Sequence, residues 1–416
     1  MWKSIAVLLF TLVLSTHAMA NEKGASRAHT SRIPLIASIQ ECPLVTGDSH
    51  EGLWLGPGML FKPGNVPRDF HFFFNVTDRT GGDSLQKGIH FTARALPEDA
   101  GSLSQWRREW QPKPYPEALL SRTDEAGYRF VPSFNWKYHK ATGKCLGIGH
   151  LLRHQGKSLS NHLEHLEIAY SVYDPADGAF ARWDSFRIQV DGKSLPSVAY
   201  GQRVDLPNGE ILLPFSVIKE LKGWNSIRWC GTVRCRFDGK RLTPLETSNL
   251  VTHPVPRGFV EPSVAEHNGK YCMTLRAQDG HGHVTTSTTG LDWSEPKPWQ
   301  WDDGEAIAMD QTMTKFVTHS DGLFLVYTRI TDDNKNVFRH RAPLFIAQID
   351  TTGTRLIRKT ETTVLANNGF PLGNFSIHNV SNQETWITSQ EWDRTGKERE
   401  CANLLARIRW TTPNTE

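Results

Sequence analysis

Four residues stand out for chemistry in the stretch "PRGFVEPSVAEHNGKYCMTLRAQDGHGH" and shortly after it. Arg257 and Glu261 precede one strand-like run, Arg276 ends the next, and Arg341 stands ahead of a third, "LFIAQID". Guanidinium groups are planar, permanently charged forks that match a carboxylate with two parallel hydrogen bonds. Two or three of them around one carboxylate would fix an acidic sugar, such as a sialic or uronic acid. Each arginine has an alternative place in a surface ion pair, and Glu261 has one as a turn cap before Pro262. His150 closes the run "KCLGIGH", with His154 behind it. An imidazole titrates near neutral pH and suits proton transfer, although a strand-end histidine also serves packing. Tyr170 and Tyr173 end the following run, Arg234 and Arg236 lie in "TVRCRFDG", and Asp78 and Asp83 precede a further strand, where a turn role explains both equally well.

The elements that must position these residues are short and β-rich. "DFHFFFNV", "GIHFTARAL", "KCLGIGHLL", "LEIAYSVYD", "EILLPFSVI", "KYCMTLRA", "GLFLVYTRI" and "ETWITSQEW" each end at Gly, Asp, Asn or Pro, and long helical periodicity is nearly absent. A degenerate hairpin recurs: "LPEDAGSLSQW", "YDPADGAFARW", "CRFDGKRL" and "STTGLDW". Each supplies an acidic or hydroxyl turn residue, a glycine and, in three of them, a tryptophan beneath. A repeated unit of this kind points to blades. "RIPLIASI" near the start and "NLLARIRW" near the end are both strand-like. Their pairing within one blade would close a ring and remove exposed edges.

The chain opens "MWKSIAVLLFTLVLSTHAMA", with Lys3, an apolar run from Ile5 to Leu14, and small residues at Ala18 and Ala20. This reads as a signal peptide over residues 1–20, removed on export to the periplasm or the outside, followed by one domain over 21–416. The net charge of +3 with both signs mixed argues against nucleic acid or a membrane surface as partner. A monomer without cofactor or metal is expected. The six cysteines are scattered, with no Cys-x-x-Cys pair, so they do not mark a zinc site. Cys230 and Cys235 either bridge a short hairpin or remain buried thiols.

The hairpins resemble the Asp-box, Ser-x-Asp-x-Gly-x-x-Trp, of the sialidase superfamily, with Thr289 near the aspartate position of the best copy. The resemblance implies an all-β propeller of four-stranded blades, six as the central expectation within a range of five to seven. The order Glu261, Val264, a glycine turn, then Arg276 resembles the sialidase segment that contributes a carboxylate and one clamp arginine. The strand after Arg341 is similar to the one carrying another, and Arg32-Ile33-Pro34 resembles the Arg-x-Pro motif that places the first. "RGFVEPS", "LFLVYTRI", "FRHRAPLFIAQID" and "LGNF…ETWIT" together resemble exported bacterial sialidase-like proteins over Gln202 to Trp392. The resemblance implies cleavage of an acidic oligo- or polysaccharide. Arg276, Arg341 and Arg257 would bind the carboxylate, Glu261 would assist, and Asp78 would stand as candidate acid.

One expected part is missing. Sialidases use a tyrosine nucleophile from a blade after the last arginine, and this chain has no tyrosine beyond Tyr327. "GFPLGNFSIHNV" offers Asn374, Phe375 and His378 at that place. A more distant similarity runs to propeller polysaccharide lyases, in which a histidine and a tyrosine transfer protons while an arginine neutralises a uronate. There His150 would transfer a proton, Tyr170 would bind substrate and Arg234 or Arg236 would neutralise the uronate, while "GEILLPFSVIKE", which resembles the strand presenting the lyase tyrosine, has Phe215 and Ser216 at its end. A non-catalytic glycan-binding propeller is the third expectation, since fold alone does not fix chemistry.

Overall fold

The computed structural model describes residues 27–46 except 30, 128–155, 166–222, 225–391 and 402–416, together with short strand segments between residues 54 and 123. Asp78, the hairpin "LPEDAGSLSQW" except the pair Gly101–Ser102, and Cys401 lie outside the described residues. The chain is an all-β propeller. Among the described residues no helix is long and apolar enough to cross a membrane.

Antiparallel sheets follow one another along the chain. A first sheet, of Trp54–Leu55, Met59–Phe61, Phe70–Thr77, Lys87–Ala93 and Lys113–Pro114, is described as backbone. The next runs through Tyr128–His139, Lys144–Gln155 and Glu167–Asp174. A third joins Ser197–Val198 and Val204–Asp205 to Glu210–Glu220, Ile227–Phe237 and Leu242–Thr247. A fourth holds Val260–His267, Lys270–Arg276, Gly282–Ser287 and Lys297–Pro298. A fifth holds Lys315–His319, Gly322–Tyr327, Leu344–Gln348 and Thr362–Leu365.

The last sheet closes the ring. Leu372–Asn379, Glu384–Glu391 and Ala402–Trp410 are joined by the N-terminal strand Ile36–Thr46, in register from Ile36 opposite Trp410 to Thr46 opposite Ala402. The two termini thus protect one another's edges.

Sheets stacked face to face bury both of their sides, which is why interior strands read as nearly unbroken apolar runs. Eight consecutive residues from Ile211 to Ile218 are buried. Leu146, Ile148, Ile168 and Tyr170 pack on Ile211, Leu213, Phe215 and Val233 of the next sheet. Burying each such aliphatic side chain is worth about 1.5–3 kcal/mol, so adjacent sheets are held rigidly and can present side chains to a shared site.

The recurrent hairpins occupy one place in every described copy, between the third and fourth strands. Asp238 Oδ1 accepts the backbone N–H groups of Lys240 and Arg241 at 2.8 and 2.7 Å, and Asp174 accepts that of Ala176. In "STTGLDW", Ser287 Oγ accepts from Thr289 and Gly290, while Thr289 Oγ1 accepts from Leu291 and Asp292. A threonine hydroxyl thus caps the turn where a carboxylate was expected. Trp293 is buried beneath and donates its indole N–H to Thr232 of the preceding sheet at 2.9 Å. Asp350 caps Gly353, Thr354 and Arg355 in the same way.

Cys230 and Cys235 are free thiols and do not bridge a hairpin. They lie on one continuous strand, roughly 16 Å apart at the rise of an extended chain. Burial pushes the Cys235 thiol up to about 12.

Candidate functional site

Antiparallel register gathers the start of each innermost strand, the end of the second and the start of the third at one end of a sheet. Val260 pairs with Arg276 and Arg276 with Gly282, while Lys315 pairs with Val326. Arg228, at the start of its strand, donates its backbone N–H to the Arg257 carbonyl at 3.0 Å. Arg341 immediately precedes the strand Leu344–Gln348. Three sheets therefore place their charged side chains at a common mouth.

Glu261 is the centre of this cluster. Its Oε2 accepts from Arg276 Nη1 at 2.6 Å, with the arginine side chain 6% and the glutamate 21% exposed. Burial works to raise the Glu261 carboxyl, but Arg276, Arg257 and Arg341 overcome it and hold the group below its ordinary value. The arginines in turn repel one another. Arg257 is brought down to about 10 by burial first, then by Arg228 and Arg276, with Glu261 opposing. Burial is also the main cause lowering Arg228, whose field includes Tyr200 and Glu261. Arg276 Nε and Arg228 Nη1 are buried donors without a hydrogen-bond partner in the structure.

Lys315 adds a further cation. Its side chain is buried, its ammonium donates to the Phe375 carbonyl at 2.6 Å, and burial lowers it to about 8 while Glu261 opposes the shift. Glu261 thus lies in the field of Arg228, Arg257, Arg276, Arg341 and Lys315. Such a group of cations favours an anionic ligand.

The backbone is strained where it carries this cluster. Arg257, Glu261, Arg339 and His340 have φ of 69°, 53°, 54° and 49°, left-handed values that cost a residue with a Cβ about 1–3 kcal/mol each. A register shift between Val260 and Ser263 swings Glu261 out of the regular pleat, as a β-bulge does. Beside it, a Cβ on Gly201 would lie 1.6 Å from the Pro262 carbonyl oxygen. Only glycine lets the segment carrying Tyr200 approach the one carrying Glu261 so closely.

His150 and Tyr200 form a second element of the mouth. His150 Nε2 and the Tyr200 hydroxyl are 2.8 Å apart, with ring centroids at 4.4 Å. Asn135 holds the Tyr200 carbonyl at 2.9 Å. Through Tyr200 the pair reaches the field of Arg228.

Other sequence expectations fall elsewhere. Tyr170 lies in the apolar core between two sheets, its hydroxyl 3.3 Å from Asp184. Burial, then Asp184, raises its ordinary value. Arg234 is six residues beyond Arg228 on one strand, roughly 20 Å away. There it pairs with Glu246 at 2.6 Å and Glu210 at 3.7 Å on an exposed surface. Arg32 is exposed at the start of the closing strand, the end opposite the mouth. Phe375 is buried, and Asn374 is exposed. Sequence reasoning missed Tyr200, Arg228 and Lys315. Tyr200 lies between two short strands, and Arg228 and Lys315 head strands other than that of Glu261.

No family model and no curated protein sequence matches the chain. Solved structures do. The Trypanosoma rangeli sialidase in complex with sialic acid superposes with a TM-score of 0.56 at 13% identity, over 92% of this chain and 58% of that one. The NanB sialidase of Streptococcus pneumoniae gives 0.57 at 10% identity, over 87% of this chain and 69% of that one. A protein of unknown function from Dyadobacter fermentans gives 0.56 at 13% identity, over 90% and 100%. The chain spans a little over half the length of the Trypanosoma sialidase it matches. At these identities the likenesses show the fold alone, a β-propeller such as the sialidases have.

Proposed function

We propose that the protein is an exported sialidase-like hydrolase that cleaves glycosidic bonds of an acidic glycan. The observation that carries this reading is the mouth where four arginines and a buried lysine gather around Glu261. A sugar carboxylate entering there would accept from Arg276 and Arg341, with Arg257 and Arg228 completing the field. Glu261, ionised at neutral pH, would stabilise positive charge developing at the anomeric carbon. Tyr200, hydrogen-bonded to His150, is the tyrosine this reading puts forward as nucleophile in place of the one absent after Tyr327. Six blades, cleavage after Ala20 and one domain over 21–416 belong to the same proposal.

The contact between His150 and Tyr200 also favours a second reading, elimination at a uronate. Neutralising the carboxylate acidifies the adjacent carbon-bound proton. His150 would remove it, and Tyr200 would protonate the leaving oxygen. One panel separates the two. Sialosides and polyuronates are incubated with the protein, and products are followed by reducing ends and by the ultraviolet absorbance of an unsaturated uronate. Reducing ends without absorbance support hydrolysis, and absorbance supports elimination. Binding without turnover of any member overturns both and leaves a glycan-binding propeller.

A further inference from the structure

Beside the arginine mouth, at the end of the sheet that carries Arg276, His253, Asp279 and His283 converge on one point. His253 Nε2 and His283 Nε2 each lie 2.8 Å from the same carboxylate oxygen, Asp279 Oδ2, and the three ligand atoms are all within 4.8 Å of one another. We propose that these three side chains form a binding site for a divalent transition-metal ion of the zinc type. The inference is independent of the substrate reading above.

The donor set fits that class. Imidazole nitrogen with a single carboxylate oxygen suits zinc, nickel, copper or iron better than calcium or magnesium, which prefer oxygen throughout. Zinc bonds to such donors are about 2.0–2.2 Å long, which puts neighbouring ligand atoms of a tetrahedral site about 3.3 Å apart. The present 2.8 Å spacing reaches that value if the carboxylate withdraws by about half an ångström. Three protein ligands leave at least one position open, and the His253 and Asp279 side chains are 24% and 20% exposed, so solvent reaches the point of convergence.

The surroundings hold the three donors in place. Both imidazoles pack on the buried Phe259 ring. His253 stacks on it at 5.0 Å with a 10° tilt, and His283 meets it edge-on at 5.1 Å. Asp279 Oδ1 accepts the His281 N–H at 3.1 Å, which turns Oδ2 toward the histidines as an outer-shell partner would. Gly280, with φ of 86°, makes the tight turn that brings Asp279 back over His283. His253 arrives from the connection between two sheets, 26 residues from Asp279. Two imidazoles directed at one carboxylate oxygen is also what a plain hydrogen-bonded trio would give, and the experiment separates the two.

The full-length protein is stripped with chelator, freed of it, and titrated with Co2+ and then Zn2+. The site predicts one Co2+ per chain with visible bands of a low-coordinate ion, displaced by one equivalent of Zn2+, and a melting temperature raised by Zn2+. His253→Ala and Asp279→Asn each weaken Zn2+ binding by more than about a hundredfold, beyond the loss expected for an outer-shell partner. Melting of both variants in chelator is compared with wild type to show that they fold. If one folds poorly, the other carries the test. Absence of a saturable one-to-one site overturns the proposal, and so does unchanged binding in folded variants, which would put the ion on other histidines.

Discussion

Lys315→Met offers a direct test of how the mouth stores charge. The ammonium of Lys315 is buried on an innermost strand, and burial lowers it from 10.5 to about 8. A lowered ammonium means the unfolded chain holds the proton more tightly than the folded one. Below about pH 8 both states are protonated and the full penalty stands. Between 8 and 10.5 the folded lysine gives up its proton first and wild-type stability rises. The difference corresponds to about 3 kcal/mol. Methionine keeps an unbranched stem and removes the charge, but leaves the Phe375 carbonyl without its donor at a cost of about 1–3 kcal/mol. The variant should therefore equal or exceed wild type at pH 7, by up to about 2 kcal/mol, and should lose about 3 kcal/mol relative to it by pH 10.5. Urea denaturation of both proteins across pH 7 to 10.5, with unchanged slopes, reads this difference directly. A gap between the two curves that does not change with pH would refute the reasoning. The same substitution removes a cation facing Glu261, so affinity for an acidic sugar should fall as stability rises.

Further outcomes follow from the same geometry. Arg276→Lys replaces a fork by a point charge and should weaken binding of free sialic acid or glucuronate by about tenfold to a hundredfold in calorimetry; unchanged affinity would remove Arg276 from the clamp. Gly201→Ala forces a methyl onto the Pro262 carbonyl oxygen. It should cost about 1–3 kcal/mol of stability and lower ligand affinity together with it, because the segments of Tyr200 and Glu261 must separate. Thr289→Val removes the acceptor of two backbone N–H groups and should cost about 1 kcal/mol, while Trp293→Ala should cost about 3–5 kcal/mol. Neither should change ligand affinity, since that turn lies at the end of its sheet opposite Arg276; melting curves and calorimetry on the same samples check both.

What the sequence revealed depended on how local the information was. The strands were legible because stacked sheets bury both faces and leave apolar runs, and the hairpins because a turn needs particular residues at fixed offsets. Even the substitution of Thr289 for an acid was readable, since a hydroxyl accepts the same N–H groups. Glu261 and Arg276 could be paired because they flank one hairpin, 15 residues apart. The contact of His150 with Tyr200, 50 residues apart, could not, because it depends on how two sheets stack. Tyr170 stands near a strand end, yet strand alternation turns it into the core. Arg234 was misjudged for a related reason. It shares a strand with Arg228, but six residues of extended chain carry it to the far end. The trio of His253, Asp279 and His283 was hidden because a 26-residue gap matches no short metal motif.

The ring closure carries a kinetic consequence. Thr411 Oγ1 reaches the Pro34 carbonyl 377 residues away, so the closing sheet joins segments that are far apart in the chain. Until Ala402–Trp410 is available, Ile36–Thr46 has no partner there, and the entropy of that long closure must be met in one late step. This sheet therefore closes only after Ala402–Trp410 has been made. A chain lacking either Ile36–Thr46 or Ala402–Trp410 would be left with an open strand edge able to pair with a second copy.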